Sequence, residues 1–68
     1  MNSAVITMVS PVRVGDVVKF VRGNHVVHIG AVKKVWWERG GFRCLLWRWT
    51  SDSVSANDLV IIRKSQLH

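Results

Sequence analysis

Residues 33–49 read Lys-Lys-Val-Trp-Trp-Glu-Arg-Gly-Gly-Phe-Arg-Cys-Leu-Leu-Trp-Arg-Trp, and they hold all four tryptophans and half of the ten lysines and arginines. Aromatic and β-branched side chains fit a pleated, half-buried surface better than a helix face. Glu38-Arg39-Gly40-Gly41 interrupts the run, and Gly-Gly permits the positive φ angles of a tight hairpin. The run therefore predicts two antiparallel strands around a short turn. No segment of the chain shows an apolar stripe at i, i+3, i+4 long enough for a helix.

Length limits what these strands can build. A chain of 68 residues makes one domain and buries only about 60% of the surface its unfolded form exposes. Its core must be thin, large aromatics must supply much of it, and association between copies is a reasonable route to extra stability. Four tryptophans exceed what such a core holds, so at least one is expected on the surface.

The rest of the chain continues the β pattern. Asp16, Val18 and Phe20 alternate with Val17, Lys19 and Val21, which is strand periodicity within residues 12–22. Gly15-Asp16 and Arg22-Gly23-Asn24-His25 are turn signals. Residues 26–37 form a long β-favouring segment in which Gly30 marks a bend or a close backbone approach. Residues 42–50 are the next strand, and 51–53 a loop. Val54-Ser55 reads as a brief strand and Ala56-Asn57-Asp58 as one helical turn, with Asn57 or Asp58 as its cap. Residues 59–63 are the last strand. Residues 1–11 are an uncharged tail or an extra edge strand, and 65–68 a polar tail. The fold class is thus all-β. Five short strands, with one short helical turn before the last, predict a closed or nearly closed barrel spanning residues 12–64, which removes exposed strand edges.

With these elements in place, the chain resembles SH3-like barrels of the Tudor/KOW type. The resemblance rests on Gly15-Asp16-Val17-Val18-Lys19-Phe20, then Gly23, then Gly30-Ala31-Val32-Lys33-Lys34-Val35. At the other end, Asn57-Asp58-Leu59-Val60-Ile61 is similar to the turn and final strand of Tudor-like barrels. Val26-Val27-His28 stands where KOW sequences usually carry a further glycine. The resemblance implies a five-stranded SH3-like barrel and a binding role toward RNA, DNA, ribosomal components or modified protein tails. Fold alone does not choose among these.

Charge narrows the partner. Ten Lys and Arg residues face four acids, Asp16, Glu38, Asp52 and Asp58, for a formal charge of +6. Nucleic acid, acidic proteins and anionic surfaces are the partners such a balance favours, although solubility alone also explains it. Lys33, Lys34, Arg39, Arg43 and Arg48 concentrate on the hairpin, with Glu38 alone opposing them. Arginine combines stacking with bidentate phosphate contacts, and indoles stack on bases. If Phe42, Cys44 and Leu46 fill the core, then Arg43, Trp47 and Trp49 form an outward platform, and Trp36 and Trp37 point to opposite faces. The candidate nucleic-acid-binding set is Lys33, Lys34, Arg39, Arg43, Arg48, Trp37, Trp47 and Trp49. The competing readings are a solvated charged face and tryptophans spent on the core.

Other chemistries find less support. Cys44 is the single cysteine, so no disulfide can form within the chain, and it reads as a small core residue of an intracellular, cytoplasmic protein. Residues 1–12 carry no basic start before their apolar stretch, so no signal peptide is expected, and no apolar run approaches a membrane span. His25 and His28 lack accompanying Cys or acid residues at metal-ligand spacing. A methyl-lysine cage would use aromatics, but tyrosine is absent and the positive surroundings repel a basic tail. The chain also resembles plasmid-borne type II dihydrofolate reductases in its Gly-Asp opening and strand order. Their Val-Gln-Ile-Tyr segment would fall near Ser53-Val54-Ser55-Ala56 and is absent. No enzyme, cofactor or metal is therefore expected. The expected function is a non-catalytic module contacting RNA or DNA. The alternative is a docking or assembly subunit, using the same Trp/Arg surface against an acidic protein or another copy of itself.

Overall fold

The computed structural model describes residues 9–50 and 52–66. Strand β1 spans Val17–Arg22, β2 His25–Glu38, β3 Gly41–Leu46, β4 Val54–Ser55 and β5 Leu59–Arg63, with a short 3-10 turn at Ala56–Asp58 before β5. All neighbouring strands pair antiparallel in one sheet of order β4-β3-β2-β1-β5. The sheet is not closed: β4 and β5 are its two edges among the described residues. Barrel closure by strand pairing, as the sequence suggested, is not seen. Residues 1–8, the larger part of the N-terminal segment taken as a tail or edge strand, lie outside the described residues, as do 67 and 68 of the C-terminal tail.

Strand β2 organises the molecule. Its first half, His25–Ala31, pairs with β1, and its second half, Val32–Glu38, pairs with β3. One strand thus carries two halves of the fold, with the handover just after Gly30. A Cβ at Gly30 would stand 2.9 Å from the Trp47 carbonyl oxygen and 3.0 Å from His28 Nε2. Glycine is needed there because the β3–β4 connection crosses β2 at backbone distance.

The core is as thin as the length dictates. Val12, Val18, Phe20, Val32, Cys44, Leu46, Val54 and Ala56 are buried, and Val35, Phe42, Trp49, Leu59 and Ile61 pack around them. The inward alternation of Val18 and Phe20 on β1 matches the sequence periodicity. Asp16, just ahead of β1, is buried and fully engaged. Its carboxylate accepts from the backbone N–H of Arg13 (2.9 Å) and of Ser65 (2.6 Å), and its carbonyl accepts from Val32 N–H (2.8 Å). One short side chain therefore ties the segment before β1 to the segment after β5.

Three local expectations are corrected. β3 ends at Leu46 instead of reaching residue 50, because Arg48 adopts φ 62° and turns the chain. The hairpin takes its two positive φ angles at Arg39 (51°) and Gly40 (83°), not at Gly40-Gly41. Positive φ at both central residues is what a two-residue type I′ hairpin requires, and Gly41 belongs to β3. The 3-10 turn is capped by Ser55, whose hydroxyl accepts from Asn57 N–H at 3.2 Å, in place of Asn57 or Asp58. Among the described residues, no helix is long and apolar enough to cross a membrane.

Candidate nucleic-acid interface

A bulge in β2 decides which side chains reach the surface. Val32 pairs with Leu46 and Lys34 with Leu45, so Lys33 is an extra residue on the β2 side. A strand alternates faces at every residue, and one added residue reverses the phase beyond it. Without the bulge, Lys34 and Trp36 would follow Val32 into the core. With it, Lys33 and Lys34 are both exposed, Val35 packs on the core opposite buried Cys44, and Trp36 turns outward opposite Arg43.

The two lysines so released each cover an indole. Lys33 Nζ lies 4.6 Å from the Trp47 ring centroid, and Lys34 Nζ lies 5.5 Å from that of Trp36. Such contacts are worth about 0.5–1 kcal/mol each at exposed sites. Trp47 is 53% exposed, yet its backbone is pinned. Its N–H donates to Ala31 O at 2.9 Å, and its carbonyl accepts from His28 Nε2 at 2.9 Å. A flat apolar ring is thus held open to solvent on a fixed backbone, with an ammonium above it.

Trp47 and Trp49 do not share a face. The turn at Arg48 sends Trp49 inward, where it packs edge-on against Phe20 (centroids 5.5 Å apart) and beside His28 (5.1 Å). Trp49 is a wall of the core and leaves the platform. Its rim still borders a shallow cleft of about 300 Å³ shared with Lys33, Leu45, Trp47 and Arg48. No acid lines that cleft. Leu45 also pairs with Lys34 across the ladder, so the Lys33–Trp47 and Lys34–Trp36 pairs adjoin.

Arg43 has a different role from the one its sequence position suggested. Its Nε and Nη2 donate to Ser53 Oγ at 3.1 and 3.0 Å, and Nη2 also donates to the Ser53 carbonyl at 2.8 Å. The half-buried guanidinium clamps the β3–β4 connection. Arg39 stands exposed at the hairpin tip. Trp37 is 47% exposed and packs edge-on against Phe42 at 4.9 Å, extending the apolar face past the end of the core. The single acid on the hairpin, Glu38, accepts from Trp36 Nε1 at 3.0 Å.

Of the eight sequence-derived residues, the structure gathers Lys33, Trp47 and Arg48 around one cleft and sets Lys34 beside it. Arg39 and Trp37 lie toward the hairpin tip, and Arg43 and Trp49 serve the scaffold. Trp36, a stacking candidate outside that set, and His28 adjoin the same surface. No residue pattern signals the bulge that turns Trp36 outward, and His28 acts through its contacts with Trp47 and Trp49, both distant in sequence. Cys44 is buried, and desolvation pushes its thiol up to about 11 against a smaller opposing pull from Arg43, so it stays protonated and unreactive at neutral pH. Among the described residues, no three His, Cys, Asp or Glu side chains gather as a metal site. Comparison with known proteins finds no matching family model, no similar characterised protein and no solved structure of matching fold.

Proposed function

We propose that the chain is a small non-catalytic binding module of the SH3-like type that contacts RNA or DNA through the β2–β3 surface. The observation that carries this reading is the Lys33–Trp47 pair, a half-exposed indole on a pinned backbone with a cation over it and Arg48 in the same cleft. A base stacks on the indole while Lys33, Lys34 and Arg48 meet flanking phosphates. Stacking on an aromatic is worth about 1–3 kcal/mol per base and tolerates any sequence. Three phosphates neutralised on a single strand give a log–log salt slope of about −2, or a loss of roughly 15-fold between 50 and 200 mM salt.

The test is tryptophan fluorescence during titration with mixed-sequence single-stranded RNA and with duplex DNA at those two salt concentrations. Saturable quenching that weakens with salt, and is lost in Trp47→Leu, supports the reading. No quenching at 50 mM salt refutes it and moves the Trp/Arg surface to an acidic protein partner.

A further inference from the structure

We infer that the cleft between the β2–β3 turn and the β3–β4 connection binds a nucleoside 5′-monophosphate, free or as the phosphorylated end of a strand. The cleft measures about 430 Å³, and Glu38, Arg39, Phe42, Arg43, Ser53 and Ser55 line it. It shares no lining residue with the Trp47 cleft, so this inference does not rest on stacking at Trp47.

The fold sets its donors. Arg43 spends Nε and Nη2 on Ser53, which fixes the plane of the guanidinium, while Nη1 has no acceptor among the described residues. No unpartnered side-chain nitrogen or oxygen is buried among those residues, so Nη1 meets solvent. Ser53 Oγ accepts from Arg43 and Ser55 Oγ from the Asn57 N–H, and each hydroxyl keeps its own O–H to donate. Arg43 and Ser55 are direct partners across the β3–β4 ladder. Exposed Arg39 adds a second guanidinium at the turn. A fixed guanidinium beside hydroxyl donors suits a phosphate. A monoester, with three terminal oxygens and a charge of about −1.5 to −2, uses these donors more fully than a diester within a strand.

The rest of the cleft says what carries the phosphate. Its volume lies in the range of about 300–1,000 Å³ typical of sites for organic ligands, more than a bare phosphate requires. Phe42 supplies an apolar wall. Glu38 engages Trp36 Nε1 through Oε2 at 3.0 Å, which leaves Oε1 to accept from a base N–H. That carboxylate disfavours an acidic phosphopeptide and favours a base. A Cβ at Gly40 or Gly41 would meet nothing within 4 Å, so no side chain screens the hairpin backbone from the ligand.

The test is titration of the nitrogen-15-labelled full chain with adenosine 5′-monophosphate, followed by NMR at the amides of residues 40–43 and 53–55. Saturable shifts at those amides are expected, with adenosine and inorganic phosphate each binding at least about fivefold more weakly. Gly41 has no positive φ, so Gly41→Val suits its strand while its side chain fills the cleft and abolishes the shifts. Arg39→Ala weakens binding by about fivefold. Circular dichroism verifies that both variants fold. Trp47→Leu leaves the shifts intact, which separates this site from the Trp47 reading. A 5′-phosphorylated oligonucleotide that acts at lower concentration than the mononucleotide identifies a strand end as the source, and the reverse identifies the free nucleotide. The inference is overturned by the absence of shifts at these amides, by inorganic phosphate or phosphoserine binding as well as the nucleotide, or by undiminished binding in folded Gly41→Val.

Discussion

Replacing Gly30 with alanine tests whether the crossing of β2 by the β3–β4 connection governs this fold. Gly30 lies in a strand with no positive φ. At such a position an added Cβ ordinarily stabilises by about 0.4–1 kcal/mol, because it restricts the unfolded chain. Here the Cβ would sit 2.9 Å from a backbone oxygen and 3.0 Å from His28 Nε2. The carbonyl of Trp47 is fixed by its own bonded N–H, so the strands must separate. Forcing a methyl into a packed crossing costs about 1–3 kcal/mol, and weakening the His28–Trp47 hydrogen bond costs about another 1 kcal/mol. After the entropic gain is subtracted, Gly30→Ala loses about 1–3 kcal/mol. For a domain of this size, 2 kcal/mol lowers Tm by about 8–16 °C. Urea and thermal unfolding, followed by circular dichroism and fluorescence, measure it. Adding His28→Ala removes one of the two close contacts but not the backbone one, so it does not rescue the variant. A Gly30→Ala protein as stable as the parent, or more so, refutes the reasoning about the crossing.

Arg48 holds φ 62°, a left-handed conformation that costs a side-chain-bearing residue about 1–2 kcal/mol, so Arg48→Gly raises the urea midpoint while weakening any salt-dependent binding at the cleft. Arg43→Ala does the reverse, losing about 1–3 kcal/mol as the Ser53 clamp opens; binding at the Trp47 cleft, measured on the folded variant, changes little. Because folding raises the Cys44 thiol to about 11, its contribution to stability is complete below about pH 9 and is lost as pH rises from about 9 to 11. Cys44→Ala, although less stable at pH 7, shows a flatter decline across that window in pH-dependent urea melts. Asp16→Ala leaves the Arg13 and Ser65 N–H groups without their acceptor and costs about 2–4 kcal/mol, measured by the same melts.

The elements were readable because strand formation here follows local composition. The apolar run at 59–63 coincides with β5, whereas the alternating segment 12–22 starts well ahead of β1 at Val17 and the segment 42–50 overruns the end of β3 at Leu46. The phase of β2 was not readable. Val32-Lys33-Lys34-Val35-Trp36-Trp37 fits either face, and only the pairing of Cys44 with Val35 selects one. The separation of Trp47 from Trp49 was hidden for a related reason. Nothing about an arginine announces positive φ, so the sequence reads as a strand running straight through Arg48. Arg43 misled because an arginine among tryptophans looks the same whether its guanidinium meets solvent or Ser53.

The bulge at Lys33 links the scaffold to the surface. The core requires Val32 and Val35 inward, three positions apart, and a regular strand cannot bring both to one face. One extra residue resolves this, and both neighbouring lysines are expelled together. Had the strand run without a bulge, Lys34 would have entered the core at a desolvation cost no partner there could offset. The chain would then have exposed Val35 and hidden Trp36. A device that serves packing therefore also creates the paired ammonium–indole surface. The exposure of Lys33 and Lys34 is thus not independent evidence of selection for binding. What packing does not demand is that Trp47 remain half exposed with its backbone tied at both ends while Trp49, two residues on, packs against the core. That asymmetry is why the Lys33–Trp47 pair, more than the count of cations, carries the functional reading.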